Sequence, residues 1–338
     1  MAVSRRSSRG TEEPGGASPS CGTVPRPMNP VQRAVEILRR GGVVALPTET
    51  VYGLAARADD ELAVRRIFAI KGRPATHPLI VHLASAGELE DWAREVPAAA
   101  RVLAEAFWPG PLTLVLKRSP RVSDAVTGGQ GTVALRVPRH PLALEVLAAL
   151  GGGLAAPSAN RFGKVSPTEA DHVRADLGAD VDLVLDGGPC EVGLESTIVD
   201  LSSGAPAILR SGGLPAEDLE RVLGHAVPVR TSQTVRVSGS LASHYAPRAG
   251  VLLAEPGELA AQVARHRGVD LAVLAPEPFP GLPHFSLPAE PGEAARVLYS
   301  RLREADEAGH ALLLVSLPDA RGLGQAVRDR LMRASAPR

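Results

Sequence analysis

The chain has 338 residues, and its 37 Lys and Arg residues balance 37 Asp and Glu residues, so the formal net charge is zero. Balanced charge excludes a global basic field, so any polyanion site must be a local concentration of cations. The two cysteines, Cys21 and Cys190, exclude a disulfide framework and suit a reducing compartment. No apolar run approaches the ~18–20 residues that span a bilayer. We therefore expect a cytoplasmic protein without membrane contact.

The first 27 residues are rich in Ser, Gly, Pro and Arg and offer little that a core could bury. This composition predicts a disordered leader over 1–27. The alternative is that translation starts at Met28 and that the leader is an artefact of the assigned start. Folded structure is predicted to begin with Asn29 as an N-cap and Pro30 at the first helical position.

Helical and extended patterns alternate from residue 31 to residue 215. After the first helix, Asp59 or Asp60 caps a second, and Ser85 with Glu88 forms a capping-box pattern before a third. Further helices are predicted near 98–107, 141–150 and 168–177, and buried strands at 43–46, 79–83, 112–116, 133–137, 181–185, 197–201 and 207–209. Such alternation predicts an α/β or α+β domain with a largely covered sheet.

The alternation of helical and extended patterns is interrupted once. A helix is predicted over 214–224, periodicity is then lost until residue 248, and three strand–helix pairs follow between residues 251 and 333. The interruption is long for a connection inside one domain. We therefore predict a first domain over 28–215, a linker over 216–248 and a small C-terminal α/β domain over 249–338.

Familiar catalytic signatures are missing from the sequence. It contains no G-x-x-x-x-G-K-[ST] loop, no G-x-G-x-x-G turn after a strand, no H-E-x-x-H and no G-x-S-x-G. A zinc protease or a serine hydrolase of the usual kind is therefore not expected, and any nucleotide site must be built in another way.

Polar residues follow several predicted strands, where α/β folds carry functional loops. Segment 47–54 offers hydroxyls and the Glu49 carboxylate to a small polar ligand, although the segment taken alone is better explained as a Thr-rich turn. Lys71 and Arg73 end a helix, where cations either satisfy the last carbonyls or hold a polyphosphate. His82 ends a strand in an apolar context that also suits an ordinary core histidine.

Two arginines interrupt strands that are otherwise apolar. Arg136 and Arg210 are costly to bury without a partner, so each requires an internal ion pair or an anionic ligand. Segment 155–160 combines small residues with Ser and Asn, which lets a flat ligand approach the backbone. Segments 166–168 and 193–197 carry further hydroxyls, but a helix start and a loop with a satisfied Glu195 explain them as well.

Taken in order, these segments resemble one known family. They are Pro47-Thr-Glu-Thr-Val-Tyr-Gly53, Lys71-Gly-Arg-Pro, Pro78-Leu-Ile-Val-His82, Trp108-Pro-Gly-Pro-Leu-Thr113, Val133-Ala-Leu-Arg136-Val-Pro138, Ala156-Pro-Ser-Ala-Asn160, Glu195-Ser-Thr-Ile198 and Leu209-Arg210. This series is similar to the YrdC-like family of threonylcarbamoyl-AMP synthases over residues 28–215. The later Ser243-His244-Tyr245-Ala246-Pro247, followed by a small α/β unit, resembles the long two-domain form of these enzymes.

The resemblance implies a twisted mixed sheet with a large basic cavity and a Rossmann-like C-terminal domain. The residues that it places around L-threonine are Thr50, His82, Arg136, Ala156 and Ser196, with Arg136 on the carboxylate. Those that it places on ATP are Lys71, Arg73, His77, Thr132, Ser158, Ser166, Arg210 and Ser243. Many relatives have Asn at the position of His77 and Lys or Arg at that of Ser243. Residues 243–245 are expected to cover the cavity mouth.

The resemblance also implies the reaction. L-threonine, bicarbonate and ATP give L-threonylcarbamoyl-AMP and pyrophosphate, the first step of N6-threonylcarbamoyladenosine formation at position 37 of tRNAs that read codons beginning with A. A downstream threonylcarbamoyl transferase complex is the implied partner. The expected catalytic charges are Lys71, Arg73 and Arg210, together with Mg²⁺ that accompanies ATP.

Two other functions stay open at this level. A basic cavity suits a tRNA or double-stranded RNA backbone, although the zero net charge argues against such a module. Carbamoyl transfer in hydrogenase maturation uses a related domain, but it normally brings zinc-finger segments that two cysteines cannot build.

Overall fold

The computed structural model describes residues 1–4, 28–230, 235–239 and 244–337. Most of the predicted leader, from residue 5 to residue 27, lies outside the described residues, as does Ser243. Within the part that is described, no helix is both long and apolar enough to cross a membrane.

The first domain alternates short strands with helices, as predicted. Its strands are β1 (Val44–Leu46), β2 (Gly53–Arg57), β3 (Ile80–His82), β4 (Ala93–Arg94), β5 (Leu112–Arg118), β6 (Thr132–Arg136), β7 (Leu154–Ala155), β8 (Leu183–Val184), β9 (Thr197–Asp200) and β10 (Ala207–Arg210). Its helices are α1 (Pro30–Arg39), α2 (Glu61–Lys71), α3 (Leu89–Trp92), α4 (Ala98–Phe107), α5 (Asp124–Thr127), α6 (Pro141–Leu150), α7 (Ala170–Leu177) and α8 (Ala216–Leu223).

Local capping chemistry sets the helix boundaries. The Asn29 side chain accepts a hydrogen bond from the backbone N–H of Gln32, and the Gln32 side chain accepts one from that of Asn29, so α1 begins with a complete capping box. Asp60 caps α2 by accepting from Ala63. At the other end of α2, Gly72 has a left-handed backbone (φ 61°), which turns the chain so that Arg73 leaves the helix axis.

The ten strands form one mixed sheet, in the order β10-β9-β5-β6-β3-β7-β2-β1-β8, with β4 beside β5. Strand β2 was not predicted, because segment 47–54 was interpreted as a loop throughout. The chain instead turns after β1 and pairs antiparallel with it, with Leu46 opposite Gly53. Gly53 also forms a bridge to Ser158, which brings segments 47–54 and 155–160 together.

The pairing directions collect polar strand ends at one edge of this sheet. Strands β3 and β6 are parallel, and His82 lies opposite Arg136 at their carboxyl ends. Strand β5 is antiparallel to β6 and parallel to β9, and β10 returns antiparallel to β9. The start of β9, beside Ser196, and the end of β10, at Arg210, therefore meet at the same edge as His82 and Arg136.

The C-terminal domain has a parallel sheet of β11 (Gly250–Ala254), β14 (Leu312–Ser316), β12 (Leu271–Ala275) and β13 (His284–Ser286), in that order. Its helices are α9 (Leu259–Arg265), α10 (Pro291–Ala308) and α11 (Leu323–Ser335). Three strand–helix pairs were predicted, and β13 was missed because it is a short edge strand.

The two domains share a core. Val51, Val165 and Leu194 of the first domain pack with Leu298 and Tyr299 of α10 in one buried cluster. The predicted linker, 216–248, begins as α8, which packs on α4. Residues 228–230 then follow β10 through backbone hydrogen bonds at Ile208. The described part of the predicted linker therefore stays in contact with the first domain as far as residue 230.

Candidate functional site

A cleft of about 530 Å³, including its open mouth, lies over the sheet edge where the polar strand ends meet. It is lined by Thr48, Thr50, Val51, Gly53, Arg73, Ile80, His82, Arg136, Ala156, Pro157, Ser158, Glu195, Ser196, Arg210, Ser238, Gly239, His244 and Tyr245. All five residues that the family resemblance places around L-threonine are in this lining. Three of the eight placed on ATP, namely Arg73, Ser158 and Arg210, are there as well.

Arg136 has an internal partner and still lines the cleft. Its Nη2 lies 2.8 Å from Oε1 of Glu49, and its Nε donates to the carbonyl of Gly110 at 3.1 Å. Glu49 also accepts from the backbone N–H of Arg139. Although burial opposes ionisation, the Arg136 charge keeps the pKa of Glu49 below its ordinary value. Glu49, whose role the sequence left open, therefore orients the arginine that faces the cleft.

His82 is neutral in this environment. Burial, reinforced by the neighbouring Arg136 charge, lowers the pKa of His82 to about 3. Its Nδ1 has no hydrogen-bond partner among the described residues. Nearby, the Thr48 and Thr50 hydroxyls lie 2.9 Å apart and are buried. This side of the cleft therefore offers uncharged hydrogen-bonding groups next to one cation.

Arg210 connects the opposite wall to the roof. Its Nε and Nη2 donate to the carbonyl of Ser196, and its Nη1 donates to the carbonyl of Ser238 in the linker. The Ser196 hydroxyl lies 2.7 Å from the Thr113 hydroxyl. Arg210 is only 4% exposed, so its charge is directed inward rather than to bulk solvent.

Lys71 lies behind the wall of the cleft. Its Nζ donates to the carbonyls of Ser158 and Asn160 and lies 3.3 Å from Asn160 Oδ1. Burial, followed by the Arg73 charge, lowers the pKa of Lys71 well below its ordinary value. The structure thus gives Lys71 three oxygen partners and does not bring it into the cleft lining. It braces segment 158–160, and its expected contact with phosphate stays a prediction.

Arg73 links the cleft to a second opening of about 510 Å³, which His77, Phe162, Arg236 and His244 also line. One Arg73 nitrogen donates to the Pro78 carbonyl and to the Ser238 hydroxyl. Burial lowers the pKa of Arg73 to about 10, at which it is still a cation at neutral pH. Burial, with the charges of Arg73 and Arg236, lowers the pKa of His77.

Two further residues expected to contact ATP lie elsewhere. Thr132 lines a small separate pocket beneath Val237 of the linker. Ser166 is fully buried behind the cleft and donates to Oε1 of Glu195 at 2.7 Å. Neither is in the main cleft lining, and Ser243 lies outside the described residues. Their contacts with ATP stay predictions.

Residues of the linker form the roof of the cleft. The Ser238 hydroxyl also donates to the Pro78 carbonyl, and the backbone of Arg236 exchanges hydrogen bonds with the Gln130 side chain. The backbone N–H of Ala246 donates to the carbonyl of Gly163. The sequence predicted His244 and Tyr245 at the mouth but missed Ser238 and Gly239, because their position depends on contacts with Arg73 and Arg210.

Comparison with known proteins identifies the family. A family model for Sua5, YciO and YrdC proteins, described as "Telomere recombination", matches residues 36–212. A second model, "Threonylcarbamoyl-AMP synthase, C-terminal domain", matches residues 214–336. The chain belongs to the Sua5/YrdC family, in its long two-domain form.

Individual family members match along most of the chain. A Pyrococcus abyssi protein named threonylcarbamoyl-AMP synthase is 42% identical, over 91% of this chain and 94% of its own. A Bacillus subtilis protein of the same name is 39% identical, over 91% and 93%. The crystal structure of P. abyssi Sua5 complexed with L-threonine has a TM-score of 0.86 and 41% identity, and covers 90% of this chain and 94% of that one. The mixed sheet predicted from the motifs is thereby confirmed.

Proposed function

We propose that this protein is a threonylcarbamoyl-AMP synthase that converts L-threonine, bicarbonate and ATP into L-threonylcarbamoyl-AMP and pyrophosphate. The observation that carries the proposal is the cleft itself, where Thr50, His82, Arg136, Ala156 and Ser196 converge beside Arg73 and Arg210. The names of the Pyrococcus and Bacillus relatives support the same activity.

The site suits a reaction that needs positioning and charge rather than a covalent nucleophile. The threonine carboxylate binds Arg136, whose planar fork suits a carboxylate. Bicarbonate gives CO2 and hydroxide, and the neutral threonine amine adds to the CO2. The proton that leaves the nitrogen combines with the hydroxide, so the products of this step are a carbamate and water. A carbamate oxygen attacks the α-phosphorus of ATP, the bond to the β-phosphate oxygen breaks, and pyrophosphate leaves. Arg73 and Arg210 balance the charge on the phosphate oxygens.

Mg²⁺ fits this site as a companion of ATP rather than as a metal held by the protein. The described residues contain no group of three or more His, Cys, Asp or Glu side chains placed to hold a metal ion. Glu195, which lines the cleft, is already bound to Arg330 and Tyr299. We therefore expect phosphate oxygens and water to coordinate Mg²⁺, as in many nucleotide sites.

The inward direction of the cations disfavours the RNA-binding alternative. Lys71, Arg73, Arg136 and Arg210 are each at most 8% exposed, so they are not available to a long phosphate backbone. We expect the protein to act in the cytoplasm and to pass its product to the transferase complex that modifies adenosine 37 of tRNA.

The test is an assay of pyrophosphate release from ATP, with L-threonine and bicarbonate present together and each omitted in turn. We expect release that requires both, with a product whose mass is that of threonylcarbamoyl-AMP. Release that is independent of threonine, or no release at all, would refute the proposed function.

A further inference from the structure

The C-terminal domain contacts the wall of the cleft at Glu195. Nε of Arg330, on α11, lies 2.9 Å from Oε2 of Glu195, and the Tyr299 hydroxyl, on α10, donates to the same oxygen at 2.8 Å. Nη2 of Arg330 also donates to the Ser211 carbonyl, just after β10. The Arg330 side chain is completely buried. An ion pair between two domains thus reaches a residue that lines the candidate active site.

Arg330 and Tyr299 also contact Tyr245, which belongs to the roof of the cleft. Tyr245 has a left-handed backbone (φ 62°), a conformation that is strained for any residue other than glycine. Its ring stacks on Tyr299, with 5.6 Å between ring centroids, and the Arg330 guanidinium lies 5.1 Å from its centroid. Contacts with the C-terminal domain therefore stabilise the strained backbone of a linker residue that lines the cleft.

Glu195 is also connected to the nucleotide side of the cleft. It precedes Ser196, whose carbonyl accepts two hydrogen bonds from Arg210. Although burial opposes ionisation, the charges of Arg330 and then Arg210 lower the pKa of Glu195 to about 2. Without Arg330, the buried carboxylate would have Arg210 as its remaining cation, and Arg210 would be drawn away from Ser196 and Ser238.

We propose that Arg330 and Tyr299 of the C-terminal domain are positioning residues for the synthase reaction, which fix Glu195 and Tyr245 and thereby keep Arg210 on Ser196 and Ser238, where it lines the cleft. This inference rests on the proposed function. It makes the C-terminal domain part of the active site rather than an appended module.

A second ion pair between the domains provides a matched control. Arg303 of α10 pairs with Asp176 of α7 at 2.7 Å, and neither residue lines the cleft. The experiment compares Arg330→Met with Asp176→Asn in the full-length protein. Each substitution removes one charge from an interdomain pair, and kcat and KM for ATP and threonine are measured for both.

We expect Arg330→Met to lower kcat/KM for ATP at least ~10-fold, and Asp176→Asn to change it less than ~3-fold. The double variant Glu195→Gln, Arg330→Met should regain part of the loss, because a neutral amide no longer attracts Arg210. Equal effects of the two single substitutions would overturn the proposal, as would a double variant no more active than Arg330→Met.

Tyr299→Phe keeps the test decisive if Arg330→Met does not fold. This change removes one hydrogen bond to Glu195 and retains the stack on Tyr245, so we expect a smaller loss in kcat/KM for ATP in a protein that is still folded at the assay temperature. Wild-type kinetics in Tyr299→Phe would refute the positioning role. Absence of pyrophosphate release in the wild-type protein would refute the proposed function instead, so the two failures are distinguishable.

Discussion

At the scale of single residues, the pair formed by Glu49 and Arg136 decides how a mutation in the cleft is interpreted. The Glu49 side chain is 1% exposed and that of Arg136 is 4% exposed. Loss of one member of such a pair leaves a buried charge without its partner, which typically costs about 3–5 kcal/mol. A loss of activity in a single variant would therefore mix the effects of binding and folding.

We predict that Arg136→Ala abolishes threonine-dependent pyrophosphate release and also lowers the free energy of unfolding by about 3–5 kcal/mol. The double variant Glu49→Gln, Arg136→Met removes both charges and should recover most of that stability without recovering activity. Urea unfolding and the pyrophosphate assay separate the two effects. Normal turnover in either variant would exclude Arg136 as the carboxylate anchor.

The buried His82 and His244, together with the half-buried His172, lead to a second prediction, on the pH dependence of stability. Burial is the main cause that lowers the pKa of His82 to about 3, of His244 to about 3 and of His172 to about 4, from an ordinary value of 6.5. As pH falls below 6.5, the unfolded chain takes up protons that the folded protein does not. The cost of keeping these histidines neutral in the folded protein is therefore absent above pH 6.5, and it lowers the stability of the native state progressively below that pH.

We expect the free energy of unfolding to fall by up to about 1.4 kcal/mol per pH unit for each fully buried histidine between pH 6 and pH 4.5. Glu49 and Glu195, whose carboxyl pKa values are lowered, stay ionised in the folded protein across this window. Their unfolded forms take up protons only as the pH nears the ordinary value of 4.5, so they add to the slope at the acid end of the window alone. Urea unfolding across the range measures the slope, and His82→Gln should reduce it. A flat profile would contradict neutral burial of these side chains.

At the scale of elements, the loop before β9 is fixed by its approach to helix α10. Gly193 has φ 75°, and a Cβ at this position would lie 2.5 Å from the carbonyl oxygen of Arg296. Gly188, in the same loop, has φ 79° with open space around its Cβ position. The two glycines therefore share a backbone conformation and differ in what a side chain would meet.

We predict that Gly188→Ala costs about 1–2 kcal/mol through backbone strain alone. Gly193→Ala should cost about 1–3 kcal/mol more, because the added methyl group collides with backbone atoms of α10. Thermal unfolding of both variants, with limited proteolysis of the linker, measures stability and domain docking. Equal stability of the two variants would show that the loop does not depend on α10.

The sequence predicted which elements carry the site residues better than it predicted which groups those residues contact. Arg136 and Arg210 stood out because a charged residue in an apolar strand is costly to bury, and both line the cleft. His82 also lines it, but its local context suited a core histidine and only the family resemblance placed it in the site. Lys71 was assigned to phosphate by its motif, but the direction of its side chain depends on carbonyls 87 and 89 residues away. Local patterns do not encode such contacts.

At the scale of the whole molecule, the domains depend on each other through the shared core. Removal of residues 231–338 would leave the first domain with its own large core, but Val51, Val165 and Leu194 would lose their covering. The contact between Glu195 and Arg330 spans 135 residues and could not be predicted from sequence for this reason.

We predict that a protein ending at residue 230 is folded but binds hydrophobic dyes and makes threonylcarbamoyl-AMP at least about tenfold less efficiently, a change that corresponds to about 1.4 kcal/mol in the activation barrier. Circular dichroism tests whether the shortened protein is folded, dye fluorescence tests whether it exposes apolar surface, and the pyrophosphate assay measures its synthesis rate. Unaltered kinetics in this protein would mean that neither the roof nor Arg330 serves the reaction.

The roof also has a kinetic consequence. The roof is held by β10 on one side, through residues 228–230, and by β11 on the other. Because the roof is part of the same chain as the cleft, its effective concentration at the cleft is on the order of millimolar and does not depend on the concentration of the enzyme. The described roof residues Ser238, Gly239, His244 and Tyr245 line the cleft through which a product as large as an acyl nucleotide must leave, and motions of covering segments frequently limit turnover. The turnover number should then decrease as solvent viscosity rises, while dilution of the enzyme leaves it unchanged.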